Sequence, residues 1–156
     1  MSAYRIELLG AQDRSTFVSG SDALDRYLRE QAKQDIRRRV ASCFVAIDND
    51  GVIAGYYTIA ATSLILDKLS SERAKRLPRY PSIPAVLLGR LAVAQAHQGK
   101  RLGGALVADA LLRATRAEVM AYAMVVDAKD AQAVTFYEHL GFERLVDDPH
   151  KLIRSL

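Results

Sequence analysis

The sequence predicts a single domain of the mixed α/β class. Segments with the alternating pattern of strands are interspersed with segments whose apolar residues recur at helical spacing. One segment, Ala85–Val93, is apolar almost throughout, as is typical of a central strand covered on both faces. At 156 residues, of which 50% are hydrophobic, the chain is long enough for one well-filled core and too short for two ordinary domains. We therefore expect one domain over residues 1–156.

The first third of the chain is predicted to form a strand and a long helix. Tyr4–Leu9 has the residue pattern of a strand. Ser21 and Asp22 are favourable N-caps, and the apolar stripe that follows them at helical spacing continues to about Arg38.

A β-hairpin is predicted next. Ala41–Ile47 and Val52–Ala61 are rich in β-branched and aromatic residues, and the turn signal Asp48–Gly51 separates them. From Ser63 to Pro84 the pattern is mixed, with one short helix expected near Ser70–Arg76. Because three prolines follow that helix, we expect an irregular loop on the substrate side; they are Pro78, Pro81 and Pro84.

The second half alternates helices with strands. Gly104–Met120 has one apolar face and one charged face, which predicts an amphipathic helix packed on a sheet. Asp130–Leu140 predicts a second helix, with Gly141 as its left-handed C-cap. Three further strands are expected at Tyr122–Asp127, Phe142–Val146 and Lys151–Ser155.

The chain is basic, with a net charge of +4 and a pI of about 9.3, and this biases it mildly toward anionic partners. Its cations are clustered: three recur at helical spacing, three form a run and four lie in the mixed segment. The residues are Arg29, Lys33 and Arg37, then Arg37, Arg38 and Arg39, then Arg73, Lys75, Arg76 and Arg79. Solvated faces explain most clusters of this kind, so binding to an anion needs independent support.

The single cysteine and the hydropathy pattern bear on compartment. Cys43 cannot form an internal disulfide and is predicted to be a small buried hydrophobe with no catalytic role. No apolar run reaches membrane-spanning length, and the N-terminus lacks an apolar signal core. We expect a cytoplasmic protein with no membrane partner.

A glycine-rich turn follows the central strand. Leu91-Ala92-Val93 leads into Gln98-Gly99-Lys100-Arg101-Leu102-Gly103-Gly104 and then into a helix-forming run. Backbone N–H groups at such a turn and helix N-terminus suit a phosphate, and small residues let them converge. Lys100 and Arg101 place cations beside the same position. The turn therefore predicts a site for a phosphorylated ligand, although a glycine-rich turn alone is a weak signal.

A second signal follows about thirty residues later, in the segment from Ala133 to Phe142. This segment predicts a short amphipathic helix that has Tyr137 in its middle and is closed by a glycine. Together the two segments resemble the acetyl-coenzyme A site of the GNAT superfamily of N-acetyltransferases. That resemblance implies an α/β fold with a central mixed, mostly antiparallel sheet of six to seven strands and about four flanking helices. It also implies an acetyl-CoA-dependent N-acetyltransferase that needs no metal.

The resemblance assigns roles to individual residues. It implies that the backbone of Leu91, Ala92 and Val93 pairs with the pantetheine amides, beside a neighbouring strand that splays away. It implies that residues 98–104 hold the pyrophosphate, with Arg101 where the family usually has its first glycine. Tyr137 matches the phenol that protonates the departing thiolate; the alternative is a core aromatic. Three further residues belong to the implied cofactor site: Asp130, Ala133 and Phe136. Asp130 stands where many members have an asparagine; the alternative is that it is only an N-cap.

No residue stands out as general base. We expect His97 to be a turn residue and His139 to be solvated, and His150 lies near the C-terminus. An α-amine titrates near ~7.7–8.0, and an adjacent ester lowers that value, so it is largely neutral without help. A lysine side chain, at ~10.4, would need a base or a water path. An acceptor amine of low pKa is therefore favoured.

Two further stretches resemble the acetyltransferase toxins of bacterial toxin–antitoxin pairs: Phe17 to Asp35, including Leu24-Asp25-Arg26-Tyr27-Leu28, and Gly55-Tyr56-Tyr57-Thr58-Ile59-Ala60. The resemblance implies acetylation of the α-amine of aminoacyl-tRNA, which blocks translation. It implies as partners a ribbon-helix-helix antitoxin and, in many members, a second copy of the chain. Candidate contacts to the tRNA phosphates are Arg29, Lys33, Arg37, Arg38, Arg39, Arg76, Arg79 and Arg90.

Alternatives remain open from the sequence. Arg90 lies within an apolar strand, where it either faces the acceptor end or pairs with a carboxylate. An acetyltransferase acting on a polyamine, antibiotic or metabolite would use the same cofactor site. A non-catalytic basic binding module would not need the glycine-rich turn, so that turn argues against it.

Overall fold

The computed structural model describes residues 3–146 and 148–156. Its strands are β1 (Arg5–Leu8), β2 (Ser42–Ile47), β3 (Ile53–Ile65), β4 (Ser82–Val93), β5 (Ala123–Asp127), β6 (Glu143–Leu145) and β7 (Asp148–Ser155). Its α-helices are α1 (Asp22–Arg26), α2 (Ala32–Arg37), α3 (Ser71–Lys75), α4 (Leu102–Arg116) and α5 (Ala131–His139). A π-helical segment, Tyr27–Gln31, joins α1 to α2, and short 3-10 turns lie at Leu66–Lys68 and Gln95–His97.

The strands form a seven-stranded sheet in the order β1-β2-β3-β4-β5-β7-β6. The pair β4–β5 is parallel, whereas β1–β2, β2–β3, β5–β7 and β6–β7 are antiparallel. The predicted fold class, a mixed and mostly antiparallel α/β sheet, is confirmed. Tertiary contacts divide the chain into two compact units.

The first unit comprises the chain up to Ala60 together with Gly89–Ala110. Its core contains apolar residues from β2 and β3, the helical run and the end of β4, among them Leu28, Val45, Tyr56 and Ala92. The predicted helix N-cap is confirmed, because the Ser21 hydroxyl accepts from the Leu24 N–H.

The helical run contains a π-helical segment that its apolar spacing does not predict. Arg14 Nη1 donates to the carbonyl oxygens of Leu28 and Arg29, at 3.1 Å each. These bonds supply donors to two carbonyls of the widened turn. The run ends at Arg39, whose φ of 61° lies in the left-handed region usually taken by glycine.

The second unit comprises Ala61–Leu88 and Leu111–Leu156. Its core includes Leu64, Ile83, Val125 and Ile153. Both predicted ends of α5 are confirmed: the Asp130 carboxylate accepts from the Ala133 N–H at 2.8 Å, and Gly141 has a φ of 89°.

The prediction of an irregular segment from Ser63 to Pro84 is wrong at both ends. β3 continues to Ile65, and β4 begins at Ser82 and includes Pro84. Proline removes one donor from a strand but keeps its acceptor. The Pro84 carbonyl accepts from the Tyr122 N–H at 2.9 Å. The short helix expected near Ser70–Arg76 is confirmed as α3.

Other boundaries shift by a few residues. α4 begins at Leu102 and ends at Arg116, earlier at both ends than the predicted Gly104–Met120. β7 begins at Asp148 rather than at Lys151. Among the described residues, no helix is long and apolar enough to span a membrane.

Candidate functional site

The end of β4 provides a strand edge outside its ladder with β5. The register between the two strands runs from Ala85↔Ala123 to Leu88↔Val126, yet β4 continues to Val93. Among the residues that the structure describes, Gly89–Val93 therefore have no ladder partner on β5. This is the stretch whose backbone the family resemblance assigns to pantetheine, and strand backbone without a ladder partner on one side is available to other amides.

The turn after β4 has the backbone geometry of an anion site. Gly99 has a φ of 80°, and Arg101, which stands where the family resemblance expects a glycine, has a φ of 63° in the left-handed region. The first backbone bond of α4 runs from the Ala105 N–H to the Arg101 carbonyl. The N–H groups of Leu102, Gly103 and Gly104 thus precede the helical ladder and form a helix N-terminus suited to a diphosphate.

Side chains around this turn leave room for a ligand and add positive charge. A Cβ at Gly99 would meet nothing within 4 Å. Lys100 and Arg101 are exposed, and Leu102 is buried and anchors the start of α4. Since the small residues, the amides and the cations coincide, these residues fit a polyanionic cofactor.

Gln98 anchors the turn through its side chain. Its Nε2 donates to the Val93 carbonyl at 3.0 Å and to the Ser19 carbonyl at 2.8 Å. Ser19 in turn donates its N–H (3.0 Å) and its hydroxyl (2.6 Å) to the buried Asp25 carboxylate. The Nε2 group of Gln98 is therefore occupied in positioning the turn, and the Gln98 backbone N–H donates to the Gln95 carbonyl at 3.3 Å. Sequence reasoning missed Ser19 and the buried role of Asp25.

His97 lies in the 3-10 turn before Gln98, as expected of a turn residue. Its Nδ1 is 2.8 Å from the Tyr4 hydroxyl, and its Nε2 is 3.3 Å from Asp48 Oδ2. Both ring nitrogens are engaged within the first unit, which argues for a structural role.

Arg90 lies in β4 with its guanidinium 3.7 Å from the centroid of the Tyr27 ring. The Tyr27 hydroxyl donates to Asp35 Oδ2 at 2.9 Å. Among residues 3–146 and 148–156, no carboxylate pairs with Arg90. Within those residues, an aromatic face takes the place of the carboxylate that one alternative expected beside Arg90.

Tyr137 lies in α5 of the second unit and is 8% exposed. Its ring meets Phe136 and Phe142 edge to face, with centroid distances of 5.0 and 5.5 Å. Burial raises the pKa of Tyr137 to about 12, because it disfavours the phenolate. Its hydroxyl bonds to no residue that the structure describes, and no fully buried side-chain oxygen in that part of the chain lacks a partner. The hydroxyl therefore reaches solvent.

Other candidates of the second unit accompany Tyr137 on α5. Asp130 is the N-cap, so its carboxylate is occupied by the Ala133 N–H. Ala133 and Phe136 are partly exposed. α5 thus brings the candidates of this unit together at its first two turns.

The candidate tRNA-binding cations differ in their exposure and in their hydrogen bonds within the protein. Arg37, Arg38 and Arg39 are exposed, and Lys33 is half-buried. Arg29 Nη1 donates to the Phe17 carbonyl at 3.0 Å. In the second unit Arg73 is held structurally, because its guanidinium bonds to the Tyr122 hydroxyl and to Glu143.

Two other candidates, Arg76 and Arg79, are exposed. Arg79 lines an open cavity of about 600 Å³ together with Leu66, Ala74, Lys75, Leu77, Tyr80 and Pro81. Both charged residues lining this cavity are cations.

Cys43 is buried, and burial raises the pKa of its thiol to about 12. A protonated, inaccessible thiol is a poor nucleophile. In the described ranges no group of three or more His, Cys, Asp or Glu residues could hold a metal ion.

Comparison with known proteins gives consistent results. The profile described as "Acetyltransferase (GNAT) domain" matches residues 39–144. A "tRNA-acetylating toxin" of Mycobacterium tuberculosis is 34% identical over 145 residues, which cover 92% of this chain and 86% of that protein.

Two solved structures are similar over nearly the whole chain. "AtaT complexed with acetyl-methionyl-tRNAfMet" is 30% identical with a TM-score of 0.89, covering 97% of this chain and 94% of AtaT. A tyrosine-to-phenylalanine mutant of AtaT, bound to the C-terminus of the antitoxin AtaR and acetyl-CoA, is 26% identical with a TM-score of 0.80, covering 99% and 94%. The profile match, the curated relative and the site geometry agree, and the chain belongs to the GNAT family of acetyltransferases.

Proposed function

We propose that this chain moves the acetyl group of acetyl-CoA to the α-amine of aminoacyl-tRNA and thereby blocks translation. The observation that carries the proposal is the backbone of the turn after β4, where Gly99 and Arg101 both have positive φ and lead into the N-terminus of α4. The similarity to tRNA-acetylating toxins over more than nine-tenths of the chain supports this acceptor over a small free amine.

The proposed donor site uses backbone and side chains in three roles. Leu91, Ala92 and Val93 present the strand edge for pantetheine amides. Residues 98–104 hold the diphosphate through amides and two cations, with Gln98 acting through its anchoring bonds. Acetyl-CoA supplies the acyl group and a thiolate leaving group.

Tyr137 is the proposed acid. As the amine nitrogen bonds to the acetyl carbon, the carbon–sulfur bond breaks and negative charge develops on sulfur. Full proton transfer from a phenol of pKa about 12 to a thiolate, whose thiol has a pKa near ~8.5, is uphill. Tyr137 therefore acts as the acid by relay: its hydroxyl donates to the sulfur as charge develops there, and the proton lost by the amine regenerates the phenol.

The acceptor amine needs little help with deprotonation. An α-amine next to an ester has a pKa below ~7.7–8.0, so a large fraction is neutral at pH 7.5. Both ring nitrogens of His97 are engaged, which fits a mechanism without a histidine base.

The exposed cations Arg37, Arg38 and Arg39 are the proposed tRNA contacts of the first unit, and Arg76 and Arg79 those of the second. Arg29, Lys33 and Arg90 complete the proposed set. The AtaT complex with its antitoxin supports control by an antitoxin, which we propose is of the ribbon-helix-helix type. We also propose that the chain forms a homodimer.

The test follows the acetyl label from acetyl-CoA into charged total tRNA, uncharged tRNA or a panel of small amines. We expect label on charged tRNA alone, at an alkali-labile position, because the acetylated amino acid is ester-linked. Label that enters only the small amines would contradict the aminoacyl-tRNA acceptor and leave the donor site intact.

The same assay tests the acid. Tyr137→Phe is expected to lower kcat by about 10²- to 10⁴-fold, the usual contribution of a positioned acid, with little change in acetyl-CoA binding. Glu138→Gln is the matched control, since Glu138 is a neighbour on α5 whose carboxylate bonds to Arg144. Full activity in Tyr137→Phe would remove the acid assignment.

A further inference from the structure

Arg90 is a cation in an apolar strand, and no carboxylate among the described residues pairs with it. It is the only charged residue within Ser82–Val93, and it is half-buried. Its guanidinium stacks 3.7 Å from the Tyr27 centroid and makes no hydrogen bond or ion pair with any residue in the described part of the chain. Its N–H donors therefore remain available to a ligand.

The ring beneath Arg90 is held from two sides. The Tyr27 hydroxyl donates to Asp35 at 2.9 Å, and the ring stacks on Tyr56 with an interplanar angle of 15°. The Tyr56 hydroxyl bonds to the Leu24 carbonyl at 2.6 Å. A phenol bonded to a carboxylate carries more electron density in its ring, which strengthens its attraction for a cation. The stack fixes the guanidinium without neutralising its charge.

The position of Arg90 along β4 identifies the anion that it meets. A strand advances about 3.3 Å per residue, so Arg90 lies about 10 Å from Val93, on the side away from the turn at residues 98–104. The donor diphosphate belongs to that turn in the proposed function, on which this inference rests. The ligand of Arg90 therefore comes with the acceptor.

We propose that Arg90, positioned by Tyr27 and Asp35, binds the phosphate of the last nucleotide of the aminoacyl-tRNA acceptor strand. That nucleotide carries the amino acid on its ribose, so its phosphate is the anion nearest to the reacting amine. A guanidinium binds a phosphate through two parallel N–H···O bonds. The contact also gives the half-buried charge the anionic partner that the described residues do not supply.

The experiment compares two minimal acceptors that differ by this phosphate. One is the aminoacyl ester of adenosine, and the other is the same ester of the dinucleotide cytidylyl-adenosine, with the amino acid whose tRNA is acetylated fastest. Arg90→Gln is expected to raise KM for the dinucleotide about 10- to 100-fold and to leave KM for the nucleoside and the acetyl-CoA Kd unchanged.

Substitutions of Tyr27 test its role as a positioning residue. Tyr27→Leu removes the aromatic face and is expected to raise the dinucleotide KM selectively, whereas Tyr27→Phe keeps the face and has a smaller effect. Arg90→Lys keeps the charge but loses the planar fork, so it falls between wild type and Arg90→Gln. Arg116→Gln, at an exposed arginine on α4, is the control for loss of one positive charge.

The outcomes separate this inference from the proposed function. If the wild type acetylates neither minimal ester nor aminoacyl-tRNA, the proposed function fails. If the wild type acetylates them and Arg90→Gln affects both esters equally, or neither, only the phosphate contact is overturned. Should Tyr27→Leu fail to fold, Arg90→Gln and Tyr27→Phe decide the question, with thermal unfolding as the check on each.

Discussion

Tyr137 combines a buried ring with a hydroxyl that reaches solvent. Burial raises the pKa of Tyr137 to about 12, roughly two units above that of an ordinary tyrosine, so the phenol stays protonated at neutral and mildly alkaline pH. A proton donor with this pKa is ready at every pH in which the enzyme works, and the acceptor amine rather than the donor limits the rate at low pH.

We predict a pH profile with one limb. The rate constant kcat/KM for aminoacyl-tRNA rises with pH as the amine deprotonates below ~8 and then stays level to pH 10. Initial rates, corrected for spontaneous hydrolysis of the ester, measure it. A descending limb near pH 9 that disappears in Tyr137→Phe would show that the phenol ionises earlier than the structure implies.

Asp25 holds the Ser19 loop beside the turn that Gln98 anchors. Asp25→Ala leaves the Ser19 N–H and hydroxyl without their acceptor, so we expect a loss of about 2–3 kcal/mol in the free energy of unfolding. Urea denaturation measures it. Asp22→Ala, at an exposed acid of the same helix, is the control, and equal stability of the two variants would contradict the prediction.

At the scale of elements, substitutions in the turn of residues 98–104 affect folding stability and acetyl-CoA affinity differently. Arg101→Gly relieves a left-handed conformation worth about 1 kcal/mol, but it also gives the unfolded chain more freedom, so the two effects nearly cancel. We expect the loss of the Arg101 cation to weaken acetyl-CoA binding several-fold. Calorimetry and urea denaturation measure the two quantities.

The neighbouring glycine gives the contrasting case. Gly99→Ala places a Cβ in open space but holds an alanine at a φ of 80°, so we expect a loss of about 1 kcal/mol in the free energy of unfolding.

Tighter acetyl-CoA binding by Arg101→Gly would contradict the role assigned to the Arg101 side chain.

Elements with local signals could be predicted from the sequence. Asp130 and Gly141 cap α5, and Ser21 caps α1, because the capping atoms and the capped backbone are a few residues apart. The π-helical segment could not be predicted, since donors from Arg14, more than ten residues away, bond to two carbonyls of its widened turn.

The candidate site divides in the same way. The turn of residues 98–104 was visible as a run of glycines and cations, and Tyr137 as part of a family motif. The bonds from Gln98 to Ser19, and from Ser19 to Asp25, join segments far apart in sequence, and no local pattern encodes them. The stack of Arg90 on Tyr27 likewise needs the fold before it can be seen.

At the scale of the whole molecule, the net charge of +4 comes partly from exposed arginines at the end of the helical run. Each phosphate contact makes the slope of log K against log[salt] more negative by about 0.7–0.9. Replacing Arg37, Arg38 and Arg39 together by Gln is expected to raise KM for aminoacyl-tRNA and to reduce this slope by about 2.

A charge-matched variant controls for net charge alone. The triple change Arg5→Gln, Arg116→Gln and Lys129→Gln removes the same charge from other exposed positions and is expected to leave the slope nearly unchanged. Kinetics at four salt concentrations measure it, and equal slopes in both triple variants would contradict a local tRNA contact.

The buried thiol of Cys43 has a practical consequence. A maleimide dye added to the folded protein finds no accessible thiol, because Cys43, the only cysteine in the sequence, is buried and protonated. A fluorophore can therefore be attached at one chosen surface position, such as Glu138→Cys, without first replacing Cys43. Donor binding could then be followed by fluorescence in a protein whose core is untouched.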